Sequence, residues 1–252
     1  MRRPVFAILI GVIVPALCSA AGATWTIVSV PDETGVTGKS DPITGIQRAT
    51  RAIALKDAGV TIATDLKTAI PAAPEISLFC ISGRSIKGLK QLGLTPVALV
   101  ERGGLTGARL VLIAREGVAL DTLKGKRLAS RPLSADLRSM LELEVFTPTG
   151  LELSGLIHVE VKKGIDAVLA VKTGQVELGL VDQMELDQTA RVVPPVAAGI
   201  KRLQTSPELP FAALLVRNAQ INDPDITRLT ATLISGEVGQ GTTDRWVPVK
   251  PE

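Results

Sequence analysis

Short apolar runs alternate with amphipathic stretches along the whole chain. The runs that read as strands are Trp25 to Val30, Val60 to Thr64, Ile76 to Ile81, Val97 to Glu101, Arg109 to Arg115, Arg127 to Ser130, His158 to Val161, Val176 to Val181, Lys201 to Thr205 and Phe211 to Arg217. Between them lie stretches with helical spacing and readable ends. Asp41-Pro42 places an N-cap before a proline at the first helical position, and Ile43, Ile46, Ala49 and Ile53 recur on one face before Gly59. Asn222-Asp223-Pro224 repeats the start signal, with Ile226, Leu229 and Leu233 on one face and Gly236 at the end. Further helices are predicted over Ile86 to Leu92, Ser134 to Phe146 and Ile165 to Lys172, whereas Pro71 and Pro74 forbid a long helix around residue 70. Strands alternating with helices predict an α/β protein with mainly parallel sheets flanked by helices.

Two polar connectors suggest crossings between lobes, one over Glu116 to Lys126 and one over Thr205 to Pro210. On that reading residues 24–115 and 206–252 share one lobe and residues 116–205 form the other. Two crossings between α/β lobes create a cleft that can close around a ligand.

The first residues predict export. Arg2 and Arg3 precede an apolar run from Val5 to Val14, and the small residues Cys18, Ser19, Ala20, Ala21, Gly22 and Ala23 follow. That is the layout of a signal peptide over residues 1–23, cleaved near Ala23. The run of roughly 10 residues falls short of the ~20 that a membrane-spanning helix needs. An uncleaved anchor, or lipidation at Cys18 after Leu17, are the other readings of the same stretch.

Charge and cysteine content narrow the partners. The chain carries 28 Lys+Arg against 25 Asp+Glu, and loss of Arg2 and Arg3 brings the mature chain close to neutrality. Such a balance leaves no electrostatic footprint for nucleic acid, and with aromatics at 2% and no tyrosine there is no stacking platform for single strands. The mature chain keeps Cys80, inside an apolar run, and so has no pair for an internal disulfide.

The motifs of catalysis are missing. There is no Gly-x-Ser-x-Gly elbow, and Gly125-Lys126 is followed by Arg127 where a phosphate-cradling loop needs Ser or Thr. One histidine, His158, cannot supply both a metal site and a general base, and no Cys/His cluster has metal-ligand spacing. His158 reads as a structural histidine. Glu142 with Glu144, and Glu185 with Asp187, read as solvated helix faces rather than acid/base pairs. No cofactor is implied, and the pattern points to binding rather than catalysis.

Four pieces in order carry a resemblance. Leu123-Lys124-Gly125-Lys126-Arg127-Leu128-Ala129-Ser130 resembles the segment that opens the second lobe of phosphate/phosphite/phosphonate-type substrate-binding proteins of ABC transporters. The helix from Gly164 to Glu177, the strand and acidic turn Leu178-Gly179-Leu180-Val181-Asp182, and the return strand Leu209 to Arg217 are similar to the pieces that follow in that family. The resemblance covers about Gly107 to Gly236. It implies a two-lobed type II periplasmic-binding-protein fold, a small anionic solute in the cleft, a membrane permease as partner, a periplasmic location and a monomer.

Two strand-to-helix corners would then face the ligand, because the first N–H groups of a helix are unsatisfied and suit an oxyanion. Ser82, Arg84 and Ser85 form one; Ser134, Ala135 and Asp136 form the other; Asp182 follows a strand end beside them. Arg84 could grip an oxyanion or lie on the surface. Ser134 and Asp182 suit ligand contact or plain capping. The family's Ser-Thr-Ser is replaced by Ser134-Ala135-Asp136, and a carboxylate there repels an anion. A receptor-like sensory module or a cleft that no longer binds is the alternative reading, and an exported enzyme on the same scaffold is the third.

Overall fold

The computed structural model describes residues 26–30, 42–53, 59–63, 66–73, 77–118, 125–235 and 244–249. The predicted leader with Cys18, the strand start at Trp25, the cap at Asp41, the helix stop at Gly236, the middle of the Glu116 to Lys126 connector and the side chain of Asp136 lie outside what is described.

The first lobe opens with β1 (Thr26–Val30), α1 (Pro42–Ala52), β2 (Gly59–Ile62), α2 (Leu66–Ala72), β3 (Ser77–Ile81), α3 (Ile86–Gln91) and β4 (Leu94–Glu101). The chain crosses through β5 (Gly107–Ala108) into β6 (Leu110–Arg115), β7 (Arg127–Ser130) and α4 (Ala135–Leu141). A π-helical turn over Glu142–Phe146 extends α4; then come β8 (Ile157–Glu160), α5 (Gly164–Lys172), β9 (Leu178–Asp182), α6 (Gln183–Val192), α7 (Pro194–Ala197) and β10 (Ile200–Thr205). It returns through β11 (Leu209–Pro210) to β12 (Ala213–Arg217), α8 (Pro224–Ile234) and β13 (Arg245–Pro248).

Two sheets result. The first has the order β13-β4-β12-β3-β1-β2 and the second β10-β6-β9-β7-β8. Both are mixed rather than mainly parallel. β1, β2 and β3 run parallel, as do β7, β8 and β9, because helices connect them. β12, β4 and β13, like β6 and β10, pair antiparallel.

Each sheet is covered on both faces, and the two-residue period sorts its side chains. In β6, Leu110, Leu112 and Ala114 join the core under α4 with Leu128, Leu137, Leu141 and Phe146. Val111 and Ile113 join the opposite core with Val168 and Val171 of α5. In the first lobe Ile46 and Ala49 of α1 and Ile226 and Leu229 of α8 cover one face, while Phe79, Leu89 and Leu215 fill the other. α2 is a seven-residue helix with Pro71 inside it, which matches the short span that the prolines allow.

The first crossing is not where the polar connector suggested. Leu110–Arg115 belongs to the second sheet, so the chain changes lobes at Gly107–Ala108 rather than at Glu116 to Lys126. The return passes through β11, and the two crossings pair antiparallel, Ala108 with Leu209 and Gly107 with Pro210. Around this ribbon Leu110 N–H donates to Ser206 Oγ at 2.9 Å, Ser206 N–H to Leu110 O at 2.7 Å, and Thr106 Oγ1 to Glu208 Oε1 at 2.6 Å. Pro210 fits because a two-stranded ribbon needs no second row of donors. Arg115 and Arg127, on either side of the polar connector, both belong to the second sheet.

Candidate functional site

The corner after β3 sits on the crossing. Gly83 takes a left-handed backbone (φ 65°), which turns the chain sharply, and its N–H donates to Pro210 O at 3.0 Å. Ser82 N–H donates to Val30 O at 3.2 Å. Ser85 is the N-cap of α3, its Oγ accepting from Gly88 N–H at 3.2 Å. Arg84 is only 8% exposed, which rules out the surface reading of its side chain. Ser82 and Ser85 are buried beside it, so the fold gathers the three residues predicted for the first lobe into one polar corner.

The second lobe brings two corners together. β7 ends at Ser130, and Ser134 caps α4 by accepting from Leu137 N–H at 3.3 Å. Ala135 is the first helical residue, with Asp136 next on the same turn. β9 ends at Asp182, the N-cap of α6, which accepts from Met184 N–H at 2.7 Å and Glu185 N–H at 3.2 Å. Gln183 N–H donates to Arg109 O at 2.8 Å, which fixes this corner to the first crossing. Burial pushes the Asp182 carboxyl above the usual carboxylate range, and the N–H groups of Glu185 and Met184 offset part of that rise.

Leu110, Ser130, Arg131, Leu133, Asp182 and Glu185 line a recess between these corners, with a volume of about 10 Å³. That is room for one water. An ion pair between Arg131 and Glu185 bounds it. Sequence reasoning missed both residues and placed Glu185 on a solvated face with Asp187. Asp187 pairs with Arg202 on that face, whereas Glu185 pairs with Arg131 at the recess. Its signal was legible as spacing: Asp182-Gln183-Met184-Glu185 has the form of a capping box, in which the acid returns to the N-cap backbone. Here the acid goes to Arg131 instead.

His158, in β8, supports the same corner. Ser130 Oγ donates to Arg131 O at 2.7 Å, so His158 Nε2, 2.7 Å away, must be the donor to Ser130 Oγ. Nδ1 is then left to accept from Arg138 Nη2, at 3.5 Å. Burial, then the Arg138 charge, hold the imidazole pKa below its ordinary value. A neutral ring that orders the Arg131 backbone is what this geometry provides.

Away from the crossings the lobes meet through charge. Lys87 Nζ of α3 lies 3.4 Å from Glu144 Oε1 on the π-helical turn. Among the described residues no group of His, Cys, Asp and Glu is placed to hold a metal ion, and no helix is long and apolar enough to cross a membrane.

Residues 81–244 match the profile of a family described as the periplasmic substrate-binding protein of phosphonate ABC transporters. That span holds both corners and both crossings. Among solved structures, a Xanthomonas citri protein bound to ATP is 17% identical, with a TM-score of 0.53 over 85% of this chain and 84% of its own. The Prochlorococcus marinus protein PhnD1 in complex with methylphosphonate is 10% identical, with a TM-score of 0.51 over 90% of this chain and 93% of its own. At these identities the likeness is one of fold. No curated protein matches the chain by sequence.

Proposed function

This chain belongs to the family of periplasmic substrate-binding proteins of phosphonate ABC transporters, with their two-lobed type II fold, and from that premise we propose that it is an exported receptor for a small phosphonate- or phosphate-like anion, delivered to a membrane permease. The family is one of solute-binding proteins rather than enzymes. The observation that carries the reading is the match over residues 81–244, because it spans the Ser82–Ser85, Ser134–Asp136 and Asp182 corners on both sides of the crossings.

The physics of the cleft supports an oxyanion. Ser82, Arg84 and Ser85 supply hydroxyls and a guanidinium beside the crossing, and guanidinium suits bidentate contact to phosphonate oxygens. In the second lobe the Arg131 side chain stands at the recess beside Asp182. A ligand that touches both lobes stabilises the closed form by its differential contacts, and the permease then reads closure.

The test is a thermal-shift screen of the chain from Thr24 onward against phosphate, phosphite, alkyl- and aminophosphonates, sulfonates and organic cations. A ligand at 100 times its dissociation constant adds about 2.7 kcal/mol. The expected result is a rise with a phosphorus oxyanion that Arg84→Ala or Ser134→Ala abolishes. A flat response across the anions would overturn the assignment in favour of a receptor-like module without transport.

A further inference from the structure

The Arg131–Glu185 pair is the feature that this reading leaves unused. The recess it bounds has room for one water, so no solute enters unless a side chain leaves. Arg131 follows β7 directly and Glu185 stands in the first turn of α6, at the carboxyl ends of two adjacent strands where open α/β sheets take their ligands.

Glu185 is poorly settled in this position. Its Oε1 meets Arg131, while its Oε2 is buried and has no hydrogen-bond partner among the described residues. An unsatisfied buried carboxylate oxygen is costly. Glycine at residue 164 leaves room for that oxygen, since a Cβ there would push the Glu185 carboxylate aside. Glu185 also has somewhere else to go. It lines a second, outward groove of about 260 Å³ with Lys163, Ile165, Gln188, Thr189, Val192 and Val193. Lys163 offers it a cation on that side.

We propose that Arg131 is a specificity-determining ligand contact, and that Glu185 is its built-in counter-ion, which an incoming oxyanion displaces from the recess into the Lys163 groove. The inference rests on the anion-receptor reading and names the cation that serves it in the second lobe. A doubly charged oxyanion offers Arg131 two acceptors in the same fork geometry, and it relieves the buried Oε2. Neutral solutes gain nothing by the exchange, because they would break the Arg131–Glu185 pair and bring Arg131 no charge in its place. Asp182 beside the pair adds a further bias. With Glu185 still in place the recess holds two carboxyl groups and one guanidinium, and it repels anions; with Glu185 gone the guanidinium is balanced by Asp182 and the ligand.

The experiment is calorimetric titration of methylphosphonate and of inorganic phosphate into the full mature chain and three variants, with melting temperatures measured alongside. Glu185→Gln keeps the shape and removes the competing charge, so the affinity of the better-bound anion is expected to rise about two- to five-fold. Arg131→Gln is expected to lower it about 10- to 150-fold. In the double variant Arg131→Gln/Glu185→Gln the gain from removing Glu185 should be smaller than in the wild type, because most of its effect is exerted by competing for Arg131. A merely structural ion pair gives the opposite pattern, in which both single variants lose affinity together with melting temperature. Wild-type binding with Arg131→Gln unchanged would overturn this inference and leave the receptor reading standing. Absence of binding to both anions in the wild type would overturn the receptor reading and this inference with it. If Arg131→Gln does not fold, Arg131→Lys serves, with an expected loss confined to anion affinity because a lysine keeps the charge and loses the fork.

Discussion

Gly107→Ala is the sharpest probe of the crossing. Gly107 pairs with Pro210, and a Cβ at residue 107 would lie 2.5 Å from Leu209 O and 2.8 Å from Leu209 C and Glu208 Cγ. Two of those three neighbours are backbone atoms of the opposite crossing, so no rotamer change relieves the clash. The ribbon must splay by most of an ångström, or the Ala108–Leu209 pairing must break. Forced overpacking costs about 1–3 kcal/mol, and a lost ladder bond adds about 1 kcal/mol. Together they lower the melting temperature by roughly 5–15 °C for a chain of this size. The control is Gly59→Ala, where the added Cβ meets nothing within 4 Å. It should be neutral or slightly stabilising, because alanine restricts the unfolded chain. Urea unfolding of both variants, with small-angle scattering to read the lobe separation, measures the difference. Equal stability of Gly107→Ala and wild type, within about 0.5 kcal/mol, together with unchanged scattering, would refute the close approach of the two crossings.

Three further outcomes are expected. The raised pKa of Asp182 means that its contribution is full below the ordinary carboxylate range and is lost as pH rises through the raised value. Asp182→Asn, which keeps the cap, should therefore gain on wild type in urea unfolding between acid and neutral pH, while Asp182→Ala loses about 1 kcal/mol of capping at all pH values. His158 is held below its ordinary pKa, so the stability it contributes is present above about 6.5 and lost as pH falls through the lowered value; being the sole histidine, it gives one NMR titration, whose midpoint should rise in Arg138→Gln. The Lys87–Glu144 contact is exposed and screened by salt, and such pairs contribute about 0.2–1 kcal/mol. Lys87→Glu should widen the distance between spin labels on the two lobes at low salt, and Lys87→Glu/Glu144→Lys should restore it; a lobe distance indifferent to both would show that the contact does not couple the lobes.

Most of this architecture was readable as periodicity. The strand predicted over Arg127 to Ser130 is β7 residue for residue, and the helix start at Asp223-Pro224 is the observed N-cap of α8. What periodicity could not supply was membership of a sheet. The run Leu110–Arg115 is apolar on both faces and fits the centre of either sheet, so its lobe was decided by pairing with β9 and β10. Gly107–Ala108 and Leu209–Pro210 carry no strand signal, since neither pair has β-branched or aromatic residues, and they are strands only because each is the other's partner. Arg245–Pro248 pairs with β4 although more than 140 residues separate Arg245 from Glu101. In the site the serines and Asp182 were visible because capping is local. The Arg131–Glu185 pairing was not, although the capping-box spacing marks Glu185, because their meeting depends on β7 and β9 lying side by side.

The placement of β12 has a consequence for the order in which the molecule can assemble. β12 lies between β3 and β4 and pairs with both. The second sheet is drawn from one unbroken stretch, Leu110 to Thr205, and can close as soon as that stretch is free. The first cannot. During synthesis from the N-terminus, β3 and β4 are both made early, yet β3 has only β1 beside it and β4 has no neighbour until residues 213–217 arrive, more than 110 residues later. Closing so long a loop is slow, and until it happens the facing edges of β3 and β4 stand open to any other chain. The last fifth of the sequence thus works as a keystone. A chain stopped short of Ala213 would carry a finished second half and an unfinished first half, exposed to aggregation and proteolysis, whereas a chain cut after Arg217 would already have its central strand in place.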